Sequence, residues 1–178
     1  MKLAITDHIS VPSGITATVG ANNLLTIKGP KGEVTRGFFD PKIHLSSSNQ
    51  GLDLHAPEGS RREKKRAYSY SAHIKNMISG VQKPHEYVLK ICSGHFPMNI
   101  TASTTQFSVK NFLGEKIPRI LTIPAGVTLK VDADKITVTS TDIELAGQTA
   151  SRLEHLTRIT NKDPRVFQDG IYIIQKPE

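Results

Sequence analysis

The run "RREKKR", Arg61 to Arg66, places five basic residues in six positions and is the densest chemistry-bearing stretch of this 178-residue chain. Arg61, Arg62, Lys64, Lys65 and Arg66 supply ammonium charges and guanidinium forks, the groups that neutralise phosphates and release the counterions around a polyanion. A solvated helix face is the commoner reason for a charged run. Here, however, five like charges crowd a helix N-terminus, where the macrodipole disfavours cations, and contact with phosphates relieves that conflict. Binding is the favoured reading. Lys75, Lys83 and Lys90 extend the basic stretch, opposed only by Glu63 and Glu86, so most of the formal net charge of +7 sits between Ser60 and Lys90.

Side chains for bond-making chemistry lack the spacing it requires. The seven histidines (His8, His44, His55, His73, His85, His95, His155) are scattered, with no H-E-x-x-H or paired-cysteine pattern, so no metal is assigned. Cys92 stands alone in an alternating run and reads as a small buried residue, which leaves no internal disulfide and fits a reducing compartment. No G-x-S-x-G elbow exists, and the carboxylate pairs Asp132 with Asp134 and Asp142 with Glu144 read as solvent-exposed on turns or along strands. "GPKG", Gly29 to Gly32, matches the G-x-x-G loop of KH domains, but its flanks are strand-like, so it reads as a turn with Lys31 at the tip. No apolar run approaches the roughly 20 residues of a spanning helix, and "MKLAITDH" has too short an apolar core for a signal peptide. A soluble protein with a polyanionic partner is expected, with no cofactor, small-molecule substrate or membrane. The alternatives are a hydrolase or nuclease whose scattered His and Asp residues converge in one cleft, and a protein-binding module using exposed sheet edges, against which the basic segment argues.

The elements that must position these residues follow from local signals. Ser60 with Glu63 forms a capping box, which starts a helix there. Ala67, Tyr70, Ile74, Met77, Ile78 and Val81 then recur at spacings of three and four, with Gly80 and Pro84 as stop signals. "VPSGITATV" (Val11 to Val19) reappears as "IPAGVTLKV" (Ile123 to Val131), 112 residues later, each followed by a polar turn and a second alternating strand. Each copy is read as opening with an equivalent β-hairpin. A shorter second helix is expected in "GQTASRLEHLTRI", with Ala150, Leu153 and Leu156 inward. "LSSSNQG", Leu45 to Gly51, reads as a turn between short strands, while "EYVLKI" and "TQFSVKNF" read as strands of the second domain. The result is an α+β chain of two similar domains, each a small antiparallel sheet system packed on one helix. They span residues 1–83 and 84–178, with the boundary near Gln82 to His85.

The repeated segments, "HIKNMISGV", "HFPMNI", "KNFLGEK" and the ending "NKDPRVFQDGIYI" together resemble the large-subunit ribosomal protein family called L-six in bacteria and L-nine in eukaryotes. The likeness spans essentially the whole chain. Its most specific part is R-x-F-x-D-G-[IV]-Y on Arg165, Phe167, Asp169, Gly170, Ile171 and Tyr172, which is similar to the eukaryotic and archaeal branch.

That resemblance implies two α+β domains from a duplication and a non-enzymatic role. It implies binding of large-subunit ribosomal RNA, mainly through the second domain, near the sarcin-ricin loop and stalk base where translation factors dock, beside neighbouring ribosomal proteins. The implied location is the cytoplasmic ribosome, with nucleolar assembly if the source is eukaryotic. Lys110, Asn111, Gly114, Glu115 and Lys116 of "KNFLGEK", and Lys162, Arg165, Gly170 and Tyr172 of the ending, become RNA-facing candidates. Phe112, Leu113, Phe167 and Ile171 read as core anchors, Asp169 with Gly170 also fits a simple turn, and packing and stacking carry similar weight for Tyr172. "IPRILTIP" retains only Arg119, and His155 replaces a usual glutamine, which implies fewer phosphate contacts in the second domain and a larger share for the segment after Ser60.

Overall fold

Leu25 and Ile27 are fully buried on one side of strand β3 (Leu24–Gly29), while Thr26 and Lys28 lie on the other, the alternation of a strand with one wet face. The computed structural model describes residues 3–48 and 51–177. In it β3 is the centre of an antiparallel meander with β2 (Thr16–Val19) and β4 (Gly32–Gly37). Gly29 pairs with Gly32, so "GPKG" is a two-residue turn with Pro30 and Lys31 at its tip. A second sheet has the order β1-β6-β5, formed by β1 (Leu3–Ser10), β5 (His44–Ser48) and β6 (Gly51–Gly59). Leu45 to Ser48, expected as turn, belong to β5, and residues 49 and 50 of that expected turn lie outside the described residues. Helix α1 (Arg61–Gln82) packs on strands of both sheets through Ala67, Ile74, Met77, Ile78 and Val81, all buried against Ile9, Leu25, Leu52 and Leu54. The helix runs through Gly80, itself buried in the packed face, and stops before Pro84.

The start of α1 is fixed by chemistry readable in the sequence. The Ser60 hydroxyl accepts the Arg62 N–H at 3.2 Å, and the Glu63 carboxylate receives the Ser60 N–H at 2.9 Å and the Ser60 hydroxyl. With Lys42 Nζ 3.6 Å away, these Ser60 donors hold the Glu63 carboxyl down at about 2. Because that value lies below the ordinary one, the unfolded chain binds the extra proton first. The resulting stability is present above the ordinary carboxylate range and is lost as pH falls toward 2. Glu63→Gln should therefore flatten the acid side of the melting-temperature profile below about pH 4.5. An unchanged acid slope in that variant would show that the carboxylate carries no such linkage.

The second unit opens at His85. Its four-stranded sheet has the order β11-β12-β7-β13, formed by β7 (His85–Cys92), β11 (Val127–Asp132), β12 (Lys135–Ser140) and β13 (Gly170–Gln175). Its meander comprises β8 (Asn99–Ala102), β9 (Gln106–Lys110) and β10 (Arg119–Thr122). Helix α2 (Ile143–Leu156) closes the core through Ala150 and Leu153, against Leu89, Phe107, Val109, Phe112, Ile136, Val138 and Ile171. It begins earlier than the expected Gly147. Asp142, read as an exposed strand or turn carboxylate, is its N-cap and accepts the Glu144 N–H at 2.8 Å, with Glu144 in the first turn, where the helix dipole favours an acid.

Both units follow one order of elements: a lone strand (β1, β7), a three-stranded meander, a hairpin whose second strand pairs with the lone strand, then a helix. β13 is an addition to the second. This order corrects the expected 112-residue equivalence. Val11 to Val19 lead into β2, the first strand of a meander, whereas Ile123 to Val131 lead into β11, the first strand of the hairpin before a helix. The true counterpart of Pro12, Ile15, Thr16 and Ala17 is Pro97, Ile100, Thr101 and Ala102, 85 residues on. "KGPKGE" from Lys28 likewise corresponds to "KNFLGE" from Lys110, each ending the middle strand of its meander. A Pro-x-Gly turn before alternation marks entry into any strand, so it could not by itself select the right one.

Candidate nucleic-acid interface

At the start of α1, Arg61, Arg62, Lys64 and Lys65 are exposed. Arg61, Lys64, Lys65 and Tyr68 share one stripe by helical spacing, with the Lys64 ammonium 5.8 Å from the Tyr68 ring centroid and Tyr68 half-exposed. Arg66 differs from the rest of the run. Its Nη1 donates to the buried Asp40 carboxylate at 2.6 Å, which gives it a structural partner and removes it from the freely displayed set.

In the second unit three loops meet. The first, residues 93–98, receives the Asn111 side-chain amide on the Pro97 carbonyl at 3.1 Å. The second carries "KNFLGEK", where Asn111 (φ 61), Leu113 (φ 48) and Gly114 (φ 81) turn the chain in left-handed conformations. Lys110, Gly114 and Lys116 are exposed there, while Phe112 is buried as the anchor. Arg119 ties this loop to the end of α2. Its Nε and Nη2 donate to Glu115 at 2.8 and 2.6 Å, its Nη1 donates to the Leu156 carbonyl at 2.7 Å, and its guanidinium lies 4.4 Å from the Phe112 ring centroid. The hydrogen bond from Arg119 holds the Glu115 carboxyl below its ordinary value. Glu115, itself exposed, thus holds Arg119 in place.

The third loop is the ending, residues 157–169, and it is pinned rather than frayed. The buried Asp169 carboxylate accepts the backbone N–H groups of Gly94 and of His95, the latter at 3.0 Å, and faces His95 Nδ1 at 2.6 Å. Burial alone would raise its carboxyl, but the His95 and Gly94 donors bring it below the ordinary value. Phe167, expected to be buried, is only half-buried. Its ring centroid lies 4.9 Å from that of His95, and the Lys162 ammonium lies 4.6 Å from the ring centroid. Arg165 is exposed and paired with Asp163 at 2.8 Å. Gly170 is buried, and a Cβ there would lie 3.2 Å from the Tyr172 ring, so the space it leaves is filled by that ring and not by an approaching strand. Gly170 is therefore a packing residue.

The family model described as ribosomal protein L6 matches residues 11–84 and again 96–170. The chain belongs to the ribosomal protein L6 family. The two matches begin 85 residues apart, the spacing given by the order of elements. Three relatives, each named large ribosomal subunit protein uL6, are similar over most of their length. That of Nanoarchaeum equitans is 41% identical, covering 99% of this chain and 96% of the relative. That of Haloarcula marismortui is 39% identical over 86% of each, and that of Methanospirillum hungatei 38% over 96% of each. These proteins are structural, not enzymatic. Among the described residues, no three His, Cys, Asp or Glu groups are placed to hold a metal ion, and no helix is long and apolar enough to cross a membrane.

Within this L6-family chain, Lys110, Asn111, Gly114, Lys116, Lys162 and Arg165 lie on two loops that are both bonded to the third, residues 93–98, and Arg61, Arg62, Lys64 and Lys65 form a separate cluster in the first unit. Tyr172 lies on an open sheet face. Sequence reasoning missed Asp169 and His95 as the clamp and Arg119 as the tie. The nearest available signal was an acid beside a glycine, Asp169-Gly170, immediately before the apolar run Ile171 to Ile174.

Proposed function

We propose that the chain is a structural constituent of the large ribosomal subunit whose second domain (84–178) grips large-subunit RNA through the three clustered loops. The observation that carries this is the bonding of the loops to one another, Asn111 to Pro97 and Asp169 to Gly94 and His95, with Arg119 tying Glu115 to the end of α2 and with Lys110, Lys116, Lys162 and Arg165 exposed on these segments. Preformed loops reduce the entropy lost when lysine and arginine meet phosphates. The first domain (1–83) adds the Arg61, Arg62, Lys64 and Lys65 cluster. The expected RNA site is near the sarcin-ricin loop and stalk base, beside neighbouring ribosomal proteins and the region where translation factors dock. Location on cytoplasmic ribosomes follows from the family, and the archaeal relatives give no support to a nucleolar assembly step.

A tagged copy should co-sediment with large subunits at moderate salt. Replacing Lys110, Lys116, Lys162 and Arg165 with Ala should weaken RNA association and reduce the salt slope by up to about 0.9 per lost duplex-like contact. The same change at Arg61, Arg62, Lys64 and Lys65 measures the share of the first domain. Parent-like slopes in both variants, or a free small species alone in the gradient, would overturn the proposal.

A further inference from the structure

Ile136 of β12, Leu89 of β7 and Ile171 of β13 face the core of the second unit, so by alternation Lys135, Lys90 and Tyr172 stand on the opposite face of the same sheet. Register places them in one row across three strands: Lys135 opposite Lys90, and Lys90 opposite Tyr172. All three are exposed. Like charges directly opposed across a ladder oppose folding. Asp132, across from Lys135, is engaged by Lys130 at 3.0 Å.

Tyr172 is held in place beside them. Its ring rests on Gly170, whose φ of +156° and lack of a Cβ leave room for it, and its hydroxyl donates to the Gln168 carbonyl at 3.3 Å. Burial, with the nearby Asp169 and Glu154 carboxylates, raises its phenol above the ordinary value, so it stays a neutral aromatic surface. Adjacent strands lie about 4.8 Å apart, so the row spans roughly 10 Å.

We propose that this open sheet face is a second RNA-binding surface, distinct from the loops, that takes an unpaired nucleotide: its phosphate between Lys90 and Lys135 and its base on Tyr172. The opposed lysines gain from a phosphate what they lose to each other, and an aromatic ring on a sheet is a stacking platform indifferent to base identity. The proposal rests on the RNA-binding reading above, and its test separates the two.

The full-length chain is titrated against a single-stranded oligouridylate of about 12 nucleotides, within the usual site size of such surfaces, by fluorescence anisotropy at several salt concentrations. Lys135→Glu exchanges the like-charge pair with Lys90 for an opposite one and sets a carboxylate across from Asp132, whose charge Lys130 already engages at 3.0 Å, so it should melt close to the parent while binding about tenfold more weakly, a loss that unfolding cannot explain. The double variant Lys90→Ala, Lys135→Ala should lower the logarithmic salt slope by about 0.7, the value for the one single-strand phosphate that the pair shares. Tyr172→Leu should weaken binding about tenfold, and Tyr172→Phe, which keeps the ring, should retain most of what Leu loses. If Lys135→Glu and Tyr172→Leu bind like the parent while the loop variant loses affinity, the face is not an RNA surface and the proposal fails although the loop reading stands. If all of them bind like the parent, both readings fall. If the face variants impair only association with a neighbouring ribosomal protein, the face is a protein interface and the proposal is overturned.

Discussion

Ile171→Ala should destabilise the second unit by about 2–5 kcal/mol, while Arg165→Ala melts like the parent and enters large subunits poorly. Ile171 is fully buried among Leu89, Ile136, Leu153 and their neighbours, and its N–H donates to the Thr157 hydroxyl at 2.9 Å. Truncation removes apolar area and leaves a cavity that a sheet strand cannot close. Arg165 is the opposite case. Its side chain is 87% exposed and its partner Asp163 is two residues away, so folding loses little with it while a displayed guanidinium is lost to the RNA. Phe167, which the sequence reading made a core anchor together with Ile171, lies half-exposed between His95 and Lys162. Its removal should cost less than the roughly 3–5 kcal/mol of a fully buried ring. Thermal melting and subunit incorporation of the Ile171 and Arg165 variants decide the matter. If Ile171→Ala melts like the parent, or Arg165→Ala incorporates normally, anchoring and gripping are not divided in this way.

What was legible in the sequence was local. The capping box of α1 needs only Ser60 and Glu63, and its apolar stripe is fixed by helical period, so both could be read directly. The start of α2 was not, because Asp142 has Leu145 where a capping-box glutamate or glutamine would stand, and "TDIEL" alternates like a strand. The duplication was visible, but its register was hidden by a turn-and-strand pattern that recurs wherever a strand begins. Only the order of pairing separates β2 from β11. Charge was legible as a total and not as a partition: nothing in "RREKKR" marks Arg66 as the residue whose partner, Asp40, lies 26 positions upstream. The ending shows the same limit. Asp-Gly reads as a turn, and the donors that make Asp169 a clamp are 74 and 75 residues distant.

That clamp sets the second large effect. Asp169→Ala removes the acceptor shared by the Gly94 and His95 backbone N–H groups and the His95 ring. Each donor left without a partner costs about 1–3 kcal/mol when water cannot replace it. His95 is part-exposed and water can reach it, so a net loss of about 2–4 kcal/mol is expected. The carboxyl sits below its ordinary value in the fold, so its contribution is present at neutral pH and disappears as pH falls through and below the carboxylate range. Asp169→Asn, which keeps one acceptor oxygen and cannot ionise, should melt between parent and Ala at neutral pH and show a flatter acid slope than the parent. Freed from Asp169, residues 93–98 and 161–168 lose their mutual tie. RNA association should then weaken with no basic side chain removed, and the salt slope should stay that of the parent because the number of phosphate contacts available is unchanged. A parent-like melt for Asp169→Ala at neutral pH would show that the remaining contacts, buried Ile171 among them, anchor the ending without the clamp. A reduced salt slope would show that Asp169 sets how many phosphates the loops reach, not only how rigidly they are held.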